Sequence, residues 1–485
     1  MAAAAGAALP LAFAPFDQFW MAPLCYAVLF GLWREQRPRR AFCLGLAFGV
    51  GAFTAGTYWT YISVHEFGQL PALPSAAISG VLIVALAVFF AAAGAIAARW
   101  FPTAGAWGWL AVLPAVTLLM EWSRGWVLTG FGWLSAGYSQ TESWIMGYAP
   151  VLGQHGMGWA VYATAGALVA LVLGSTRARV AAAVVIVLVW GAAGLLAGRA
   201  WTEPREEALS VALLQGAVEQ DLKWRPEQLA PTLELYRRLT EQGRGSDLIV
   251  WPEAAIPALY EQVQPYLADL QAWSERNGST VLVGILRGDF RTEVFQNVLV
   301  ALTEQRQVYV KRHLVPFGEY FPVPDFVRNW MRLMNLPYTD LTPGDPDQPA
   351  LDVAGERIAV TICYEDVFGA EQLRYLPEAT LLVNVSNDAW FGDSIAPHQH
   401  LQIARLRAAE AGRYLLRATN TGITAVIDPL GRELARIPQF EPGVLRYTVR
   451  GHTGATPYAR WGNWPVLIAA FAVLALAFPR TKNRG

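Results

Sequence analysis

The first two hundred residues are written as long apolar runs separated by brief polar breaks. Residues 3–14 and 17–33 are two such runs, parted at Pro15-Phe16-Asp17, and each falls short of the ~20 residues that span a bilayer as a helix. Residues 41–64, 75–101, 104–121, 157–174 and 180–196 are long enough to cross, and a last apolar run occupies 464–479. Counting the first pair as two spans, the pattern predicts eight. The first positive charge after the initiator is Arg34, so the alanine-rich start lacks the basic leader of a cleavable signal and is expected to be retained.

From residue 208 the period changes. Residues 209–214 predict a strand, and 226–242 an amphipathic helix whose apolar positions are Leu229, Leu233, Leu235 and Leu239. Strand 248–251, helix 260–277 and strand 280–285 follow, then a hairpin of 297–302 with 307–310. Strands are expected at 358–362 and 381–385 and a helix at 397–413. Residues 422–427 pair with 433–437 across Asp428-Pro429-Leu430-Gly431. This alternation predicts two sheets sandwiched between helices. The domains expected are therefore 1–200, transmembrane helices with about seven spans; 205–455, an α/β catalytic domain; and 463–480, a C-terminal transmembrane helix.

Composition sharpens this division. The chain is 54% hydrophobic and only 15% charged, too apolar for an ordinary soluble enzyme, and its charges crowd into the stretch from about 203 to 450. A formal net charge of −1 argues against nucleic acid as a partner. If the spans alternate, Arg34, Arg37, Arg39 and Arg40, then Arg99, Arg177, Arg179, Arg480, Lys482 and Arg484 share one side, which the positive-inside rule makes cytoplasmic. The α/β domain then faces the opposite side, the periplasm of a bacterial inner membrane. Residues 122–156 lie on that side too, with Trp126, Phe131, Trp133, Trp144 and Tyr148 reading as an interfacial aromatic belt.

Chemistry concentrates where Ile358-Ala359-Val360-Thr361-Ile362, a β-branched run, ends on Cys363-Tyr364-Glu365-Asp366. Strand ends are where α/β folds place reactive side chains. Cys363 has no cysteine in the polar domain to pair with, so it is either an inert buried thiol or a nucleophile. A thiol with a pKa near ~8.5 needs a base to take its proton. Leu248-Ile249-Val250-Trp251-Pro252-Glu253 ends on a carboxylate that fits this task. Val308-Tyr309-Val310-Lys311-Arg312-His313 ends on two cations, one of which would favour thiolate and hold an oxyanion. Strand phase leaves open which. The backbone N–H of Tyr364 is a candidate partner in the same oxyanion hole.

The order Glu, Lys, Cys on successive strand ends resembles the nitrilase (carbon–nitrogen hydrolase) superfamily. Four motifs narrow the resemblance to the apolipoprotein N-acyltransferases: Trp251-Pro252-Glu253-Ala254-Ala255-Ile256-Pro257, Lys311-Arg312-His313-Leu314-Val315-Pro316-Phe317-Gly318-Glu319-Tyr320, Cys363-Tyr364-Glu365, and Ser386-Asn387-Asp388-Ala389-Trp390-Phe391-Gly392-Asp393. The resemblance covers nearly the whole chain. It implies a polytopic membrane domain joined to a four-layer αββα nitrilase fold, with Glu253, Lys311 and Cys363 as catalytic triad. It selects Lys311 over Arg312, makes Glu319 and Glu365 supporting residues, and places Trp224 at the mouth of the site. The activity implied is transfer of an acyl chain from a phosphatidylethanolamine-type phospholipid, through a Cys thioester, to the α-amine of a diacylglyceryl apolipoprotein at the bilayer. A membrane-tethered amidase using the same triad is the alternative.

Nothing points to a cofactor. His398 and His400 lie two apart, on different faces of a helix, with no thiolate or carboxylate set to complete a metal site. No nucleotide fingerprint occupies a strand-to-helix turn. Residues 321–338 and Trp390-Phe391-Gly392 are aromatic enough to serve as lids.

Overall fold

The computed structural model describes residues 1–101, 103–320 and 340–478. The chain separates into two compact units, one made of Met1–Trp201, Phe391–Ala411 and the stretch from Ala455, the other of Thr202–Trp390 and Gly412–Gly454.

Among the described residues of the first unit, four helices are long and apolar enough to cross a membrane: Ala72–Trp100, Gly105–Arg124, Trp144–Leu173 and Thr176–Leu196. A fifth candidate is broken, because Pro38–Gly56 and Trp59–Phe67 meet at a 58° bend. The run expected as one span over 41–64 is thus two pieces, with Thr57 out of helical geometry and Ser63–Phe67 wound as a π-helix. Ala2–Ala12, Met21–Trp33 and Trp464–Ala477 are apolar but shorter. The Pro38–Gly56 helix packs closely on Ala72–Trp100 through Gly45 and Gly49, where any side chain would overlap Phe90 and Ala87 backbone. Helices in lipid gain their contact energy from such close approach.

The polar loop after Arg124 is drawn back into this unit. Arg124 donates to the carbonyls of Phe131 (2.7 Å) and Trp133 (2.6 Å), and Glu121 accepts from the Ala136 N–H (2.8 Å) and the Tyr162 hydroxyl (2.7 Å). Trp133 is consequently buried, while Trp126 and Trp144 remain exposed. The Ala396–Ala411 helix belongs here as well, although polar residues recur all around it. Gln399 accepts from Trp133 Nε1 (2.9 Å), Arg407 donates to Gln154 (2.8 Å), and Glu410 accepts from the Gln154 N–H (2.7 Å). Buried polar groups need such partners. Phe391 also packs here, its ring 4.8 Å from that of Trp59. Residues 321–338, the other expected lid, lie outside the described residues.

The second unit is built on two sheets. Strands β1 (Glu203–Gln215), β2 (Leu248–Val250), β3 (Ile256–Leu259), β4 (Thr280–Asp289), β5 (Val294–Leu302) and β6 (Gln307–Val310) join β13 (Gly443–Thr453) in one sheet. Strands β7 (Leu351–Val353), β8 (Glu356–Ile362), β9 (Leu381–Ser386), β10 (Leu415–Thr419), β11 (Thr424–Ile427) and β12 (Glu433–Ile437) form the other, in the order β12-β11-β10-β9-β8-β7. The first runs β13-β1-β2-β4-β5-β6, with β3 beside β4. Parallel pairing joins β1 to β2, β2 to β4, β8 to β9 and β9 to β10. Gln215 at the end of β1 ties the sheets together, accepting from the Thr424 N–H (3.2 Å) and the Thr419 hydroxyl (3.3 Å).

Helices Leu229–Gln242 and Gln264–Arg276 cover the first sheet. Their Tyr236, Leu239, Leu267 and Leu270 share a core with Ile249, Trp251, Val281, Val283 and Val300. Each such side chain contributes ~1.5–3 kcal/mol by leaving water. Trp251 stacks on Tyr236 at 4.8 Å between centroids and donates to Thr240 Oγ1 (3.1 Å), which fixes the chain just before Glu253.

Gly284 in β4 lets that turn approach. A Cβ there would overlap the Pro252 carbonyl oxygen and crowd the Glu253 Cα. Gly284→Ala is therefore expected to lower stability by about 1–3 kcal/mol and to abolish activity beyond that loss. Thermal melting beside turnover checks this; a variant as active and as stable as the parent would refute the close approach.

Candidate active site

The predicted site residues other than Trp224 and Glu319 lie at or just beyond strand ends, and Glu319 lies in the loop after β6. Glu253 follows β2, Lys311 follows β6 and Cys363 follows β8. Two backbone positions there are held at positive φ without being glycine: Ala254 at 44° and Cys363 at 53°. Such a residue costs on the order of 1–3 kcal/mol and persists only where its surroundings enforce it. At Cys363 the enforcement is visible. The strand stops, a 3₁₀ turn of Cys363–Val367 begins, and Glu365 within it is buried and reaches back to the Ile362 N–H (2.7 Å).

Glu365 also joins two of the strand ends. Its carboxylate accepts from the Arg312 N–H (2.6 Å), the His313 N–H (3.1 Å) and the Tyr309 hydroxyl (3.0 Å). The segment after β6 is thereby pinned to the turn that carries Cys363. Burial pushes the Glu365 carboxyl upward, and these donors, with the Arg312 charge, oppose the rise.

Lys311 is fully buried and extends its ammonium to two carboxylates, Glu319 Oε1 at 2.8 Å and Glu253 Oε1 at 3.2 Å. Arg312 turns the other way, donating to the Tyr309 hydroxyl (3.1 Å) with Glu371 nearby at 3.8 Å. The choice between the two cations that strand phase left open is made by side-chain direction. Burial alone would pull the Lys311 pKa down, but Glu253, Glu319 and the Cys363 sulfur together hold it well above the usual lysine range.

Glu253 is held at both oxygens. Oε1 also accepts from Asn297 Nδ2 (2.7 Å), and Oε2 accepts from the Asn387 N–H (2.8 Å). Glu319 is fixed in turn by the Val315 N–H (2.8 Å). Cys363 is buried within reach of these charges. Burial first, and then the Glu253 carboxylate, push its thiol well above the free value, against the pull of Lys311 and a hydrogen bond with Ser386. The site therefore sets a neutral thiol near a carboxylate whose two oxygens both accept hydrogen bonds.

Tyr364 is buried beside its neighbours Phe368 and His313, with ring centroids 5.1 and 5.8 Å away. Trp224 caps the short Gln220–Lys223 helix and is 47% exposed. Sequence reading missed Asn297, the first buried position of β5 and a polar residue just ahead of Val298-Leu299-Val300. It also missed the charges beneath Cys363: Arg417, wholly buried in β10, pairs with Asp388 (2.9 Å) and Asp366 (3.3 Å) and donates to Asn384 (2.5 Å).

A sign follows for the thiol. In Glu253→Gln burial still disfavours thiolate, but the neighbouring negative charge is gone while Lys311 remains, so the Cys363 midpoint falls. Iodoacetamide alkylation of Cys363 against pH, followed by peptide mass spectrometry, is expected to reach half-maximal rate at lower pH than in the parent, although acyl transfer is lost. An unchanged or higher midpoint contradicts the electrostatic picture.

Comparison with known proteins bears on the whole chain. Residues 5–167 match the model of the apolipoprotein N-acyltransferase N-terminal domain, and residues 210–458 match that of the carbon-nitrogen hydrolases. The chain is 41% identical over 489 residues to apolipoprotein N-acyltransferase of Methylococcus capsulatus, covering 100% of this chain and 96% of that one. It is 42% identical over 498 residues to the enzyme of the same name from Azotobacter vinelandii, covering 100% and 95%. A carbon-nitrogen hydrolase structure from Helicobacter pylori G27 is similar at 15% identity, with a TM-score of 0.40, over 56% of this chain and 92% of that one. The α/β part has the nitrilase-like αββα sandwich fold, and the apolar helices make up a membrane domain. With relatives this similar over nearly their full length, the chain belongs to the apolipoprotein N-acyltransferase family.

Proposed function

We propose that this protein moves a fatty acyl chain from a membrane phospholipid to the N-terminal amine of diacylglyceryl-cysteine apolipoproteins, the last step of lipoprotein maturation. The observation that carries the reading is the buried Glu253–Lys311 pair at 3.2 Å, set against a buried Cys363 in a chain whose relatives bear that activity in their name.

In the first half-reaction the Cys363 thiol gives its proton to Glu253 while sulfur attacks the ester carbonyl of the donor. Lys311 and the Tyr364 N–H stabilise the oxyanion of the tetrahedral intermediate. Its collapse breaks the ester C–O bond, and the leaving lysophospholipid oxygen takes the proton from Glu253. A thioester remains on Cys363. In the second half-reaction the acceptor amine attacks the thioester carbonyl and loses a proton to Glu253, the C–S bond breaks, and that proton returns to sulfur. Ester to amide is downhill, so no nucleotide is consumed. Glu319 and Asn297 orient Lys311 and Glu253, Glu365 fixes the nucleophile turn, and Trp224 lies at the mouth.

The donor is a phosphatidylethanolamine-type lipid. The protein sits in the bacterial inner membrane, with residues 1–200 and 463–480 spanning it and residues 205–455 facing the periplasm. The arginines at 34, 37, 39, 40, 99, 177 and 179 support that orientation through the positive-inside rule. Two substrates anchored by acyl chains give a reason for the membrane domain that a soluble amide does not.

The test is to incubate the full chain, in vesicles containing phosphatidylethanolamine, with a diacylglyceryl lipopeptide and to weigh protein and peptide. An acyl adduct on Cys363 and N-acylated peptide are expected. Cys363→Ala is expected to lose both, with transfer falling by about a thousandfold or more. Free fatty acid or ammonia in place of N-acylated peptide identifies an amidase, and transfer that survives in Cys363→Ala overturns the nucleophile.

A further inference from the structure

Three adjacent parallel strands carry a polar row that the mechanism above does not use. Thr361 in β8, Asn384 in β9 and Arg417 in β10 stand directly opposite one another in the sheet, each flanked along its strand by apolar neighbours. All three are buried, Asn384 and Arg417 wholly. The row is also linked, because Asn384 Nδ2 donates to Thr361 Oγ1 (3.0 Å) and Arg417 Nη1 donates to Asn384 Oδ1 (2.5 Å). Cys363 stands two residues beyond Thr361, and Ser386 two beyond Asn384, so the row lies one pleat beneath the nucleophile.

From this row Arg417 reaches two further segments. Nη1 donates to Asp366 Oδ2 (3.3 Å), and Nη2 donates to Asp388 Oδ2 (2.9 Å). Asp366 belongs to the Cys363–Val367 turn, so the first contact holds the backbone that carries Cys363 at a φ of 53°. A residue so strained keeps its conformation only where its surroundings enforce it. Asp388 also accepts from Ser386 Oγ (2.7 Å), and it follows directly on Asn387, whose N–H donates to Glu253 Oε2 (2.8 Å). One guanidinium thus touches both the turn that presents the thiol and the segment that grips the carboxylate. Stability alone does not call for such a group: backbone ladders already join the three strands, and a buried ion network is often no more stabilising than apolar side chains of similar volume.

Resting on the acyl-transfer reading, we propose that Arg417 is a positioning residue that fixes Cys363 and Glu253 relative to one another, acting on the first through Asp366 and on the second through Asp388 and Asn387. Wholly buried, it meets neither substrate nor reacting atom. A planar fork of donors serves the three acceptors at once, which the point charge of a lysine does not. Disturbing that fork misaligns the attack and leaves donor binding as it was. A misplacement of about 1 Å costs on the order of a hundredfold in rate.

The experiment measures single-turnover formation of the Cys363 acyl adduct by intact-protein mass, with the full chain in vesicles where phosphatidylethanolamine is diluted into an ether-linked lipid that offers no ester. All variants are compared below their melting temperatures. Arg417→Lys, which keeps the buried charge, is expected to lower the saturated rate about a hundredfold at an unchanged half-saturating donor fraction. Asp366→Asn is expected to lower it about tenfold, and the double variant to be no slower than Arg417→Lys alone, because residues that act as one unit are not additive. A saturated rate within about threefold of the parent, a loss carried by the half-saturating fraction, or single losses that multiply in the double variant overturns the proposal. Should Arg417→Lys fail to accumulate in membranes, Asp388→Asn leaves the guanidinium its contact with Asp366 and loosens only the segment that grips Glu253. It is expected to cost about tenfold in saturated rate with donor binding unchanged, and a full rate in it overturns the proposal equally. A parent that forms no adduct at any donor fraction sinks the acyl-transfer reading instead, and so separates the two failures.

Discussion

A buried ammonium shared by two carboxylates is the constraint to which the catalytic half of this protein answers. Lys311 lies out of water, and the cost of putting it there is met only because Glu319 and Glu253 stand 2.8 and 3.2 Å from its nitrogen. Each carboxylate must then be held. Glu319 is fixed by the Val315 N–H, and Glu253 by Asn297 and the Asn387 N–H. Glu253, Asn297, Lys311 and Asn387 come to this cluster from four different strands or strand ends. The two sheets can be understood as the scaffold that brings the ends of β2, β6, β8 and β9 to one place.

The same constraint sets the state of the thiol. A cysteine beside one cation alone would lean toward thiolate. Here burial and the Glu253 carboxylate win over Lys311, and Cys363 rests as a thiol. In the proposed reaction a neutral thiol suits a site that meets a lipid ester, because its proton is then removed only when a carbonyl arrives to be attacked. That reaction calls for a base, and both oxygens of Glu253 are held by hydrogen bonds. Strain at Ala254 and Cys363, both at positive φ, aims the two side chains.

Charge without solvent recurs throughout the molecule. Arg417 lies wholly buried in β10 between Asp388 and Asp366, under the turn that carries Cys363. In the helical unit, Glu121 and Arg124 gather the loop after the Gly105–Arg124 helix, and Arg407 and Glu410 anchor the Ala396–Ala411 helix. Arg417, Arg407 and Glu410 meet partners far away in the chain, whereas Arg124 reaches only to Phe131 and Trp133 in the loop that follows it.

That distinction separates what could be read from residues from what could not. The long apolar runs declare membrane helices, because a bilayer leaves a ~20-residue stretch no other way to satisfy its backbone. The Leu229–Gln242 helix, with one apolar face, was legible, as was the strand leading to Cys363, β-branched throughout. Strand β10 was not, since Arg417 breaks its apolar run, and the polar positions of Ala396–Ala411 gave no hint that they would be buried. The 58° break after Gly56 lies inside a run that reads as one span. Glu253 and Cys363 could be picked out because each closes a strand. Lys311 and Arg312 could not be told apart, since adjacent residues differ only in side-chain direction, and that direction is decided by carboxylates arriving from β2 and from the loop after Val315. Local pattern determines which segments leave water. Which buried charge meets which is a property of long-range pairing, and only the folded chain supplies it.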